Sequence, residues 1–151
     1  KERQYGTGRC MCHAPLRQAY AVEDVTSMVR KVFEGRVQFH DGVSQIAPGL
    51  SVHHVGGHTM GLQVVRVWTR RGWMVLASDA SHFYANMEQS RPFPIVYNVA
   101  DMLEGHRFVY GLATDRNNVI PGHDPLVLER YAAPRDELKG IVARLDGQPR
   151  F

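Results

Sequence analysis

Hydrophobic patterning begins at Val22. Val25, Met28, Val29, Val32 and Phe33 follow it at three- and four-residue spacing, one face of an amphipathic helix that Gly35 stops. RVQFHDG then predicts a short strand running into a turn at Asp41-Gly42, and IAPGLSVHHV predicts a second extended stretch with a turn at Pro48-Gly49 before Leu50. LQVVRVWT, RRG and WMVLASD predict a hairpin, two β-rich runs joined through Gly72. Beyond Pro92 and Pro94, IVYNVADMLEGHRFVYGLA reads as mainly helical and NNVIPGHD as a short strand ending in a turn. PLVLERY starts another helix, with Pro125 near its first position. GIVARLD alternates Ile141, Ala143 and Leu145, as a half-buried terminal strand would. Helices and strands alternate with hairpins among them, so the expected architecture is a layered α/β or α+β domain, or part of one.

Composition narrows the function classes. The 151 residues suffice to bury one core, and the net charge is only +3. Lys and Arg are spread along the chain apart from small pairs such as Arg70 with Arg71, so no nucleic-acid partner is expected. No apolar run approaches the roughly 20 residues of a membrane span, and no signal-peptide core is visible, so a cytoplasmic protein without a membrane partner is expected. The polar start KERQYGTGR, without an initiator Met, reads as chain already under way. Cys10 and Cys12 in CMCH are too close to bridge readily. With His13 they lack the second cluster that a closed zinc site needs, and they read as two reduced thiols, one packed and one exposed.

The candidate chemistry lies at the ends of the predicted strands. HHVGGHTMG puts three histidines and three glycines between apolar strands, where packing gains nothing from either. His58 sits in this loop, Asp79 closes WMVLASD, and His123 closes NVIPGHD. Imidazole nitrogen and carboxylate oxygen are donors that zinc, manganese or iron accept. Gly56, Gly57 and Gly122 let the backbone turn sharply and approach an ion closely. Taken singly, His58 fits a surface role and Asp79 fits a cap for the following turn; taken together, the three fit a metal site. His13, His40 and His106 read as ordinary polar residues, and one of His53 and His54 must face inward and pack.

GGHTMGLQ, ASDAS and IPGHD, in that order, resemble the later metal-binding motifs of the metallo-β-lactamase superfamily, and most of all those of the N-acyl homoserine lactonases. The G-H-T-x-G loop of that family matches Gly57 to Gly61, with Met60 where proline is common. Its D-A-S segment matches Asp79, Ala80 and Ser81, and its final G-H-D loop matches Gly122, His123 and Asp124. The resemblance runs from the helix at Val22 to the terminal stretch. It implies the C-terminal half of an αββα sandwich, one sheet with outer helices, over residues 1–151. It also implies two zinc ions, with manganese or iron as substitutes: His58 would ligate the first, Asp79 would bridge, and His123 would ligate the second.

Two departures qualify what the resemblance implies. The earlier H-x-H-x-D-H motif, which supplies the other ligands in that family, is absent from this sequence. The tyrosine that commonly follows D-A-S is replaced by His82, with Phe83 and Tyr84 beyond it. An imidazole at His82 can donate to an oxyanion as a phenol does, although it titrates near neutral pH; Tyr84 is the alternative donor. The implied catalytic set is therefore Asp79, His82 and Tyr84. The implied reaction is the opening of an acyl homoserine lactone or related ester by metal-bound hydroxide, with Asp79 relaying a proton to the leaving alkoxide. The alternatives are a glyoxalase-II-like thioesterase, which D-A-S disfavours, and a non-catalytic fragment or degenerate paralogue. A lone half is expected to be a poor catalyst. Its sheet face from LQVVRVW and WMVLASD, left without a partner, is expected to drive aggregation, a homodimer, or dependence on an N-terminal half.

Overall fold

Two tight turns build the sheet. In the computed structural model, which describes residues 1–151, β1 (Val43–Ala47) and β2 (Leu50–His54) fold back on one another at Pro48-Gly49, where Gly49 has a φ of +73°. β3 (Gln63–Thr69) and β4 (Gly72–Ser78) form the second antiparallel hairpin, and β2 pairs antiparallel with β3. β5 (Val119–Pro121) joins β4 in parallel, so the strand order is β1-β2-β3-β4-β5. The helices are α1 (Glu2–Gly6), α2 (Ala14–Arg17), α3 (Val22–Phe33), α4 (Tyr84–Glu88), α5 (Val99–Leu112) and α6 (Leu126–Arg130). A parallel neighbour requires a long crossover, and α4 and α5 lie within the one between β4 and β5. The topology has one consequence for function: β2, β4 and β5 run in the same direction, so their carboxyl ends share an edge of the sheet.

The core follows the two-residue alternation of the strands. Val64, Val75, Ala77 and Val119 point to one face and bury against Val109 of α5 and against Tyr84 and Met87 of α4. Met74 and Ile120 point the other way and pack with Tyr131, joined by Ala143 and Leu145 of the C-terminal segment. On that second face, burial weakens away from β5. Leu50, Val52, Val65 and Val67 are only half-buried, and Leu76 is exposed. The unpartnered face expected from the sequence is therefore apolar and half open.

Two expected strands are absent. Residues 36–41 form no regular element, and the strand lies instead at β1, beyond the Gly42 turn. GIVARLD is not a strand either. A short helical turn at Asp136–Leu138 precedes it, and the Arg144 N–H bonds to the Ala132 carbonyl, so this segment covers the end of the second core as a coil. In both places alternation was present, but neither segment pairs with the sheet, whose outer edges at β1 and β5 stay open. The N-terminal segment, which the sequence left without a role, folds into α1, a turn and α2. It is pinned by Tyr5, which is fully buried against Tyr20 and Tyr97. α3 matches its expected range, with Gly35 at a φ of +68° ending it, yet none of its residues is fully buried. Cys10 is partly buried and Cys12 exposed, both as free thiols. No helix is long and apolar enough to cross a membrane.

Burial separates two apolar side chains that the sequence treats alike. Met74 is 1 % exposed and Phe33 is 90 % exposed. Met74→Ala is expected to cost about 2–5 kcal/mol, whereas Phe33→Ala should stay within about 0.5 kcal/mol. Urea unfolding of both variants measures the contrast.

Candidate metal centre

The last residues of β4 and β5 approach one another closely. A Cβ added at Gly122 would stand 2.8 Å from the Ser78 carbonyl oxygen, so only glycine allows this approach. Ser78 itself has a φ of +47°, an unfavourable backbone conformation for a non-glycine residue immediately before Asp79. Two backbone bonds then tie the following loops together: Gly122 N–H to the Ser81 carbonyl at 3.0 Å, and His123 N–H to the His82 carbonyl at 2.9 Å. The side chains meet as a result. His123 Nε2 donates to Asp79 Oδ1 at 2.7 Å, and His82 Nε2 lies 3.2 Å from the same oxygen. Ligand atoms of Asp79, His82 and His123 all fall within 4.8 Å of one another.

His58 arrives from the loop after β2. Gly57 has a φ of +87°, and a Cβ there would meet the Met102 backbone at 2.7 Å, so the loop lies directly on α5. The Tyr97 and Asn98 N–H groups both donate to the Gly57 carbonyl at 2.9 Å, clamping the loop from the proline-rich side. Glu2 fastens the other side, accepting from Thr59 Oγ1 and Gly61 N–H, each at 2.8 Å, and from the Tyr20 hydroxyl. His58 Nδ1 donates to the Ile95 carbonyl at 2.7 Å. That bond fixes the tautomer and leaves Nε2 with a free lone pair, the usual orientation of a metal-ligating histidine. The His58 ring lies 5.9 Å from the His82 ring and 5.4 Å from Phe93. It stands beside the Asp79–His82–His123 trio rather than within it.

His82 is the most constrained of these rings. It stacks on Phe93 with centroids 3.5 Å apart and planes 8° from parallel, and lies 4.3 Å from the His123 ring. Burial lowers its pKa, the neighbouring His123 lowers it further, and Asp79 opposes both. Tyr84 is placed differently. Its ring is buried in the core beneath the Arg130 guanidinium, at 4.0 Å, and burial pushes its phenol up to about 12. Its hydroxyl has no hydrogen-bond partner, while its backbone N–H donates to Asp124 Oδ2 at 2.9 Å.

Several supporting residues were not legible as such. Asp124 is nearly buried and also accepts from the Leu126 N–H at 3.0 Å, so it clamps the His123 loop to the start of α4. Its place after His123 was a motif match, but nothing marked it as the clamp. His106 is not an ordinary polar residue: it is 3 % exposed on α5 with both ring nitrogens unpaired. Helical spacing from Met102 and Val109 places it on the buried face of α5 and could have shown this. His53 packs inward as expected of one of the pair, bonded to Ser51 Oγ at 2.9 Å, and His54 donates to the Met60 carbonyl at 3.0 Å. Neither His13 nor His40 enters the site.

The donor set fits a divalent first-row ion. One carboxylate and two imidazoles converge, and a third imidazole beside them has its tautomer set for ligation.

No family model matches the chain, and no curated protein does. Solved structures do. An N-acyl homoserine lactone hydrolase with N-hexanoyl-L-homoserine bound at its catalytic metal centre aligns with a TM-score of 0.51 and 23% identity, over 58% of this chain and 35% of its own. AidC, a dizinc quorum-quenching lactonase, aligns with a TM-score of 0.56 and 12% identity, over 83% of this chain and 43% of its own. A probable metal-dependent hydrolase from Staphylococcus aureus aligns with a TM-score of 0.50 and 13% identity, over 66% of this chain and 35% of its own. The chain thus spans about a third to two fifths of the length of these structures.

The buried histidines give the site region a pH signature. Burial lowers the pKa of His106, His82 and His53 below the ordinary 6.5. The unfolded chain therefore takes up protons before the folded one as pH falls below about 6.5, so stability is lost in that direction. Thermal melting from pH 7.5 to pH 5.5 is expected to show a falling Tm, with a shallower slope in His106→Gln. The mixed five-stranded sheet with flanking helices is that of a partial metallo-β-lactamase-like α/β fold, shared with the lactonases above.

Proposed function

We propose that this chain carries part of the active site of a metal-dependent hydrolase that opens acyl homoserine lactones or a related ester. The observation that carries the reading is the meeting of Asp79 and His123 at the ends of parallel β4 and β5, with the His58 lone pair free beside them. The solved structures with this fold include lactonases and a metal-dependent hydrolase, which supports the same chemistry.

His58, Asp79 and His123 would hold the metal. Zinc bound there supplies Lewis-acid polarisation of the substrate carbonyl and a water of lowered pKa. The residues of the chain divide the remaining work. Asp79 faces both His82 and His123 through one oxygen, where it can hold a proton and pass it to the alkoxide released on ring opening. The His123 side chain is 58% exposed while that of His82 is 19% exposed, so substrate would approach from the His123 side. Phe83, 42% exposed next to His82, offers apolar ground for an acyl chain. Tyr84 contributes through its backbone N–H, which holds Asp124 and with it the His123 loop.

The test is turnover of a short acyl homoserine lactone by the zinc-supplemented chain, with a thioester as the competing substrate. Slow, zinc-dependent lactone opening is expected, well below that of an intact lactonase, and Asp79→Asn should lower it by roughly 100-fold or more. Faster thioester hydrolysis would move the reading to a thioesterase. Turnover indifferent to Asp79→Asn would remove this site from the reaction.

A further inference from the structure

We propose that His82 is itself a metal ligand, so that Asp79, His82 and His123 form a three-residue site complete within this chain. The inference rests on the metal-site reading and changes the role that the lactonase resemblance gives to the position after D-A-S. A donor waiting for a substrate oxyanion would present its nitrogen to open space. His82 directs Nε2 at Asp79 instead, 3.2 Å from the same oxygen that His123 reaches at 2.7 Å.

Geometry supports ligation by all three. Two ligands bound to one tetrahedral zinc at about 2.0–2.2 Å lie roughly 3.3–3.6 Å apart. The His82–Asp79 separation nearly has that value already, and the His123–Asp79 hydrogen bond needs to open by several tenths of an ångström. The proton now between His123 and Asp79 would leave on metal binding, as ligation of an imidazole nitrogen requires. Three protein ligands with one open position is the usual arrangement of a catalytic zinc.

The ring is also held where a ligand must be. Phe93, 7% exposed, covers one face of His82 in a parallel stack. The fully buried Ser81 bonds through Oγ to the Phe83 carbonyl at 2.8 Å, which fixes the backbone on either side. The His82 carbonyl is occupied by the His123 N–H at 2.9 Å, so the two imidazoles are coupled through backbone as well as through Asp79. His58, one ring away, remains for a second ion or for substrate.

The test uses metal alone with the full chain. Zinc is titrated calorimetrically into the wild type, His82→Ala, His82→Gln and the exposed control His13→Ala. In parallel, cadmium-113 is added to nitrogen-15-labelled wild type and the imidazole nitrogens are followed by NMR. Expected are one tightly held ion per chain, a loss of about tenfold or more in affinity in both His82 variants, no change in His13→Ala, and cadmium coupling at His82 Nε2. Binding within twofold of wild type in the His82 variants, with His82 uncoupled, would overturn the ligand role and leave the hydrolase reading standing. No binding by the wild type at millimolar zinc would overturn both. Should the variants fail to fold, coupling at His82 in the wild type decides alone.

Discussion

The parallel pairing of β4 with β5 is the constraint on which the rest depends. It sets two carboxyl-terminal strand ends side by side, and Gly122 lets them approach until Ser78 and Gly122 are in backbone contact. Asp79 and His123 then meet side chain to side chain at 2.7 Å. Because β2 runs in the same direction as β4, the His58 loop reaches the same edge. Strand direction brings three sequence-distant residues to one edge, with His58 beside the Asp79–His123 pair.

Holding polar groups in this geometry has a cost, and the surrounding chain offsets it with bonds rather than bulk. Glu2 spans the His58 loop, Asp124 ties the His123 loop to α4, and the Asn98 side chain caps α5 through the Ala100 and Asp101 N–H groups. Asn98 also donates its own N–H to Gly57, so one residue both starts the helix and clamps the loop lying on it. The strained Ser78 backbone persists because these loops over-determine it. Beneath them His106, buried with unpaired nitrogens, couples the packing of α5 to protonation.

Local signals carried far in the sequence. Turn glycines at 49 and 72, apolar spacing from Val22 to Phe33 and the Pro125 helix start each report on neighbouring residues, and each element formed where expected. Alternation misled at residues 36–41 and in GIVARLD, because a strand exists only where its backbone pairs with a neighbour, and that pairing is a property of the whole sheet. The same distinction runs through the site. His58, Asp79 and His123 were visible as strand-end residues flanked by turn chemistry. The placing of His82 against Asp79, the burial of Tyr84 away from it, and the clamps made by Glu2 and Asp124 depend on contacts across the fold. Tyr5 shows the same limit: its polar surroundings in the sequence conceal a pocket built by Tyr20 and Tyr97.

Strand direction brings Asp79, His123 and their histidine neighbours together as a candidate metal centre. Anomalous diffraction at the zinc edge from zinc-soaked crystals tests it most directly. Expected is a peak bonded to Asp79 and His123 at about 2.0–2.2 Å, with an imidazole from His82 or His58 completing the set. Zinc bound only elsewhere, at Cys10 and Cys12 for example, with the Asp79–His123 hydrogen bond intact, would contradict it.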